Sequence, residues 1–159
     1  MLIAGLALFN LLVTLVEKLI GTNALLVELL QSVPVAELAK IKPLHGALIA
    51  GISYAFIKTS GSEELLFRGL LYKSLLRRLD TLSANLIQAL VFTLIHNLVV
   101  EAAMPDAPLW LHGDIFIRVF VLSLAMGWFM AKKDEGSIFS AWLCHGVTNF
   151  LTFLGFLLL

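Results

Sequence analysis

Six stretches of the chain are long and apolar, carry few or no charges, and are separated by polar or proline-containing segments. Residues 1–16 are uncharged, and the apolar run continues to residue 20. Residues 44–56 form a second uncharged stretch. Residues 63–79 form a third, with charges at both ends and Arg68 inside. Residues 82–100, 115–131 and 137–159 complete the set. The runs are Leu-rich and lack the period-two alternation of a barrel strand, so they predict helices. A bilayer crossing needs about 20 such residues. No basic flank precedes the first run and no small-residue cleavage site follows it, so it reads as a span and not as a signal peptide. Between the first two runs, Ala24 to Leu30 with Glu28, then Pro34, Glu37, Lys40, Lys42 and Pro43, predict an interfacial helix and a linker. The expected organisation is an N-terminal span with its linker over residues 1–43 and a helical core over 44–159. The expected fold class is all-α: a polytopic membrane helix bundle of about six helical segments around a buried polar site.

Composition narrows the function. The chain is 60% hydrophobic and 14% charged, with a mean hydropathy of +0.96. Soluble domains average about 45–50% apolar and about 25% charged. A compact chain of 159 residues has too little interior to hide this excess. A soluble monomer and a disordered segment are therefore excluded. Lys+Arg 11 and Asp+Glu 11 cancel, so no net field draws a polyanion, and nucleic acid is not an expected partner. Cys144 is the single cysteine, which excludes a disulfide framework or a zinc ribbon. If the six segments alternate, Lys18, Lys40, Lys42, Lys73, Arg77, Arg78, Lys132 and Lys133 fall on one side. The loop from Glu101 to Asp114 carries acids and no Lys or Arg. The positive-inside rule then places the eight cations in the cytoplasm, with the loop and both termini outside.

Ionisable groups within a span are costly and are functional candidates by default. Here they are Glu63, Glu64, Arg68, His96 and His145, joined by the amide of Asn149. At ~1.5 Å rise per residue, Arg68 lies ~15 Å from its cytoplasmic end, Glu64 and Glu63 ~21–23 Å, His96 ~20 Å, His145 ~12 Å and Asn149 ~18 Å. Groups from three helices thus converge near the middle of a ~30 Å core. Ser60-Gly61-Ser62-Glu63 reads as a capping box with Ser60 as N-cap, which would put both glutamates in a first helical turn. Glu64 and Arg68 are spaced for an ion pair, while Glu63 points about a quarter-turn away. His145 and Asn149 share one face. An imidazole beside a carboxylate can take a proton from water, and a second imidazole with an amide can donate to a developing oxyanion.

Each residue also has a plainer reading. Glu64–Arg68 can be a structural pair, and Asn149 can be interhelical glue. Cys144 points about 100° away from His145, which argues against a Cys–His nucleophile. His45 and His112 sit at span ends as interfacial residues, Trp110, Trp128 and Trp142 fit an aromatic belt, and Gly46, Ala50 and Gly51 form a small-residue packing face.

Glu63-Glu64-Leu65-Leu66-Phe67-Arg68 resembles the EExxxR motif of the CPBP (Abi) intramembrane endopeptidase family. That family includes CAAX-processing proteases and bacteriocin-processing or self-immunity proteins. Phe92-Thr93-Leu94-Ile95-His96 matches the family's FxxxH motif, and His145-Gly146-Val147-Thr148-Asn149 its HxxxN motif. The resemblance covers about residues 44–156. It implies a multi-pass protein of the bacterial cytoplasmic membrane that hydrolyses membrane-associated, prenylated or leader-type peptides in contact with lipid. It further implies that Glu63 and His96 activate water, that His145 and Asn149 hold the oxyanion, and that Glu64 and Arg68 orient the first pair. A metal-dependent form stays open, with Glu63, His96 and His145 as the candidate zinc ligands. The alternatives are a non-catalytic immunity or scaffold protein of the same family, and a proton-coupled transporter built on the same buried groups.

Overall fold

The computed structural model describes residues 37, 38 and 40–158; the first predicted span and most of the interfacial segment lie outside the described residues. Every regular element among the described residues is helical. Helix α1 (Leu44–Ser53) passes through a π-helical segment, Tyr54–Thr59, into α2 (Ser60–Glu64). A second π-helical segment, Leu65–Tyr72, then leads into α3 (Lys73–Leu75). The remaining helices are α4 (Thr81–Ala103), α5 (Leu109–Lys132) and α6 (Phe139–Leu158).

The second and third predicted segments are therefore one helical run, and the expected N-cap at Ser60 does not form. Ser60 has helical backbone angles and no capping bond. Its hydroxyl instead donates backwards to the Ala55 carbonyl at 2.6 Å and the Phe56 carbonyl at 3.3 Å. Thr59 does the same to Ala55 at 3.0 Å, and Ser62 to Lys58. Backward bonding of this kind lets serine and threonine sit inside a helix. The widened π turns supply the carbonyls that receive them. Glu63 and Glu64 accordingly lie mid-run, away from any helix start.

This merger alters the expected charge topology. Lys40 and Lys42 precede the run, whereas Lys73, Arg77 and Arg78 end it. At that second end Tyr72 packs with Ala84 and Met130, close to Lys132 and Lys133. At the other end Ala47 packs with Phe153. Among the described residues, five of the expected eight cations share one end and Lys40 and Lys42 lie at the other; Lys18 lies outside the described residues. The acidic loop is also shorter than expected. α4 extends to Ala103 and α5 begins at Leu109 behind Pro108, so Asp114 lies on a helix, 2.8 Å from Arg118.

Asp80 caps α4 by accepting from the backbone of Leu82 and Ser83 and from the Ser83 hydroxyl. Those bonds, led by that of the Ser83 side chain, hold its carboxyl below the ordinary value. α4 and α5 pair as an antiparallel hairpin, and α6 packs against the long run. Trp142 belongs to this second interface. Its indole N–H donates to the Phe56 carbonyl at 2.6 Å, and its ring meets Phe56 edge-on.

Among the described residues, two helices, Thr81–Ala103 and Leu109–Lys132, are long and apolar enough to cross a membrane, yet only 28% and 22% of their most apolar stretches are buried. Leu82, Leu98, Leu109, Ile117 and Trp128 all stand exposed. A soluble core helix would hide such residues. Here they form the surface, as lipid contact requires.

Gly146 marks a tight approach of α6 to the long run. A Cβ there would lie 2.3 Å from the Phe56 ring, whereas one at Gly113 meets nothing within 4 Å. Gly146→Ala is expected to lower the melting temperature in detergent, by an overpacking cost of about 1–3 kcal/mol. Gly113→Ala, in the body of α5, is expected to raise it, by up to about 1 kcal/mol of helix propensity.

Candidate active site

Glu64 and Arg68 lie one turn apart on the buried side of the long run, and both side chains are 0% exposed. Arg68 Nη1 sits 3.0 Å from Glu64 Oε1. The same oxygen accepts a 2.9 Å hydrogen bond from His145 Nδ1 on α6. The guanidinium plane lies over the Phe92 ring, 4.5 Å from its centroid. Phe92 also meets Phe67 edge-on and lies against His96 and His145. It is thus the apolar hub around which the charged groups are set.

Glu63, on the next position, turns away from this pair. Its Oε2 lies 3.8 Å from His96 Nε2 and 3.7 Å from His145 Nε2. These separations exceed a hydrogen bond. The side chain is 29% exposed, yet Oε2 itself is buried and has no hydrogen-bond partner in the protein.

The tautomers follow from the partners of the other ring nitrogens. His96 Nδ1 is 2.9 Å from the Phe92 carbonyl, which can only accept, so Nδ1 carries a proton. His145 Nδ1 donates to Glu64 in the same way. In the neutral rings both Nε2 atoms are therefore acceptors. Three acceptor atoms, Glu63 Oε2 and two imidazole nitrogens, face one another across a gap that one small donor would bridge.

Asn149, one turn beyond His145, donates to Thr59 Oγ1 at 2.9 Å and ties α6 to the first π segment. It also lines, with His96 and His145, a cavity of about 160 Å³ walled by Val119, Leu122 and Met126 of α5. All six candidate side chains thus belong to one locale, drawn from three elements. Cys144 lines the same cavity and is buried. His112 lies elsewhere, 3.4 Å from Glu101 and 3.2 Å from Asn97 at the loop end of the α4–α5 hairpin.

Glu63, His96 and His145 stand somewhat wider than the ligands of an ideal zinc site. Tetrahedral ligands at about 2.0–2.1 Å stand about 3.4 Å apart. The two separations here are wider, and among the described residues no group of three or more His, Cys, Asp or Glu side chains is disposed to hold a metal.

Three polar residues were missed from the sequence. Arg68 Nη2 donates to Ser123 Oγ on α5 at 2.9 Å. Gln88 Nε2 of α4 donates to the Ser123 carbonyl at 3.3 Å and to Asn85 Oδ1 at 2.9 Å. Asn85 and Gln88 interrupt an apolar run three residues apart, and Ser123 interrupts another. Attention to uncharged polar residues as well as ionisable ones would have found them.

Among curated proteins and among solved structures, none matches the chain. A family model does match, over residues 45–151, about two thirds of the chain and all three motifs. A buried polar cluster inside a lipid-facing helix bundle is the setting expected of an intramembrane protease, and the chain belongs to the Rce1-like family of type II CAAX prenyl endopeptidases.

Proposed function

We propose that this multi-pass membrane protein hydrolyses peptide bonds of prenylated, CAAX-type C-terminal segments, using water activated by Glu63. The observation that carries this reading is the meeting of Glu63 Oε2 with the Nε2 atoms of His96 and His145 at 3.8 and 3.7 Å, inside an apolar bundle. A water placed among them donates one proton to the carboxylate and the other to an imidazole. This leaves an oxygen lone pair directed at a substrate carbonyl.

Attack forms the new C–O bond as a water O–H bond breaks, and Glu63 Oε2 takes the proton. The carbonyl electrons move onto oxygen. When the tetrahedral intermediate collapses, the C–N bond breaks and Glu63 returns its proton to the departing amine nitrogen. Asn149 can serve the oxyanion with the N–H not given to Thr59. His145 can donate through Nε2 only as an imidazolium, because its Nδ1–H is committed to Glu64. As the neutral ring, either it or His96 accepts the water hydrogen not given to Glu63. The cavity beside them admits one modest side chain, since about 150 Å³ suffices for a benzene ring. By the positive-inside rule, the end bearing Lys73, Arg77, Arg78, Lys132 and Lys133 faces the cytoplasm.

Glu63→Gln is expected to reduce cleavage of a prenylated CAAX peptide in liposomes by about 10²–10⁴-fold, with little change in melting temperature. Arg68→Ala should behave differently, because it strands a buried carboxylate. It is expected to cost about 3–5 kcal/mol of stability, read as a lowered thermal midpoint in detergent. Cleavage is also expected to survive exhaustive chelation. A chelator-abolished activity restored by zinc would replace the metal-free mechanism. Full activity in Glu63→Gln would remove that residue from the role of base.

A further inference from the structure

Arg68 has five donors and is 0% exposed, yet among the described residues it donates a single hydrogen bond, to Ser123 Oγ at 2.9 Å. Its contact with Glu64 is an ion pair without hydrogen-bond geometry. Ser123 is in turn held by α4. Its hydroxyl lies 3.5 Å from Gln88 Oε1, and the Gln88 amide cannot turn, because its nitrogen is bound to the Ser123 carbonyl and to Asn85. Asn85 completes the series by donating to the Leu124 carbonyl at 2.9 Å. It seats against α5 where residue 127 is glycine; a Cβ there would come within 2.0 Å of Asn85 Oδ1. Ser123 and Gln88 are both 0% exposed.

Such a polar strip between two lipid-facing helices is tolerated because its members find hydrogen-bond partners there, and Ser123 finds one outside the α4–α5 pair. The charge it meets is Arg68, and the connection does not stop there. Arg68 contacts Glu64 Oε1, which holds His145 Nδ1, and the other nitrogen of that ring faces Glu63.

We propose that Ser123 and Gln88 are positioning residues of the hydrolytic site, setting the His145 ring through Arg68 and Glu64. The proposal rests on the endopeptidase reading for its kinetic consequence. Its structural consequence is independent of that reading. Loss of the Ser123 hydroxyl frees the guanidinium to rotate, and with it Glu64 and the imidazole. A shift of about 1 Å at a catalytic group can cost about 10²-fold in rate.

The test compares wild type, Ser123→Ala, Gln88→Met, Arg68→Lys and the Ser123→Ala/Arg68→Lys double variant, reconstituted with a prenylated CAAX peptide. Ser123→Ala is expected to lower kcat by about tenfold or more with KM changed less than about twofold. Gln88→Met is expected to produce a smaller loss of the same kind. In the Arg68→Lys background, adding Ser123→Ala is expected to change kcat by less than about twofold, because the route through Arg68 is already broken. In parallel, ¹⁵N-histidine spectra are expected to show the His145 ring signals displaced in Ser123→Ala and the His112 signals unmoved. Wild-type kcat with unmoved His145 signals in the two folded single variants would overturn the proposal, as would equal losses in both backgrounds. If the wild-type protein cleaves no peptide, the endopeptidase reading fails, and the His145 signals still decide whether Ser123 governs that ring.

Discussion

A glutamate and an arginine with no exposed surface, held 3.0 Å apart inside a bundle whose outer face is apolar, dictate much of this structure. Two charges removed from water cost several kcal/mol each, and their attraction compensates only when the surrounding groups complete the geometry. Glu64 and Arg68 are one turn apart on a single helix, so their mutual contact asks little of the fold. Their remaining valences ask a great deal. Arg68 must find Ser123 on α5 and an aromatic face on α4, and Glu64 must find His145 on α6. Satisfying one pair therefore brings α4, α5 and α6 against the long run. Helices in lipid gain little from apolar contact with one another, which makes such polar bonds the natural organisers of the bundle.

The long run is shaped to meet those demands. Two π-helical segments flank the five residues Ser60–Glu64. A π turn widens the helix and loosens the regular carbonyl ladder. In the first segment the carbonyls of Tyr54, Ala55 and Phe56 are taken by Thr59, Ser60 and the Trp142 indole. The carbonyl side of the turn is thus satisfied without water, as backbone groups at membrane depth must be. Asn149 then reaches the Thr59 hydroxyl from α6. One irregular turn thereby docks both Trp142 and Asn149, and His145, which lies between them on α6, is set opposite Glu64.

The clustering of the site was legible in the sequence because costly residues in apolar runs can be counted from helix ends. Glu63, Glu64, Arg68, His96, His145 and Asn149 were all identifiable in this way, and the structure places them together. The segment boundaries around Ser60 were not legible. Ser60-Gly61-Ser62 carries the signature of a helix start, and the backward hydroxyl bonds that cancel that signature depend on π turns, which no sequence period reports. The error propagated, since splitting the run at Ser60 reversed the side assigned to Lys40 and Lys42. Ser123, Gln88 and Asn85 escaped for a different reason. A neutral polar residue in a span is commonplace, and its meaning arises only from the partner across the interface.

Glu63 and Glu64 are chemically identical neighbours, and the turn of the helix alone gives them different environments. Glu64 has one oxygen loaded by both Arg68 and His145, and both its oxygens are shut from solvent. Glu63 faces two imidazole nitrogens with an oxygen that no protein donor satisfies, beside a cavity. A base for water needs an acceptor that water can reach; Glu64 also keeps an oxygen without a hydrogen-bond partner, but its side chain has no exposed surface. The buried pair and its Ser123 anchor would then hold still the one ring, His145, that both glutamates touch through opposite nitrogens. That ring is a mechanical link between the charge buried for structure and the carboxylate left open for chemistry. A displacement of Arg68 can reach Glu63 through it, alongside the second route by way of Phe92 and His96.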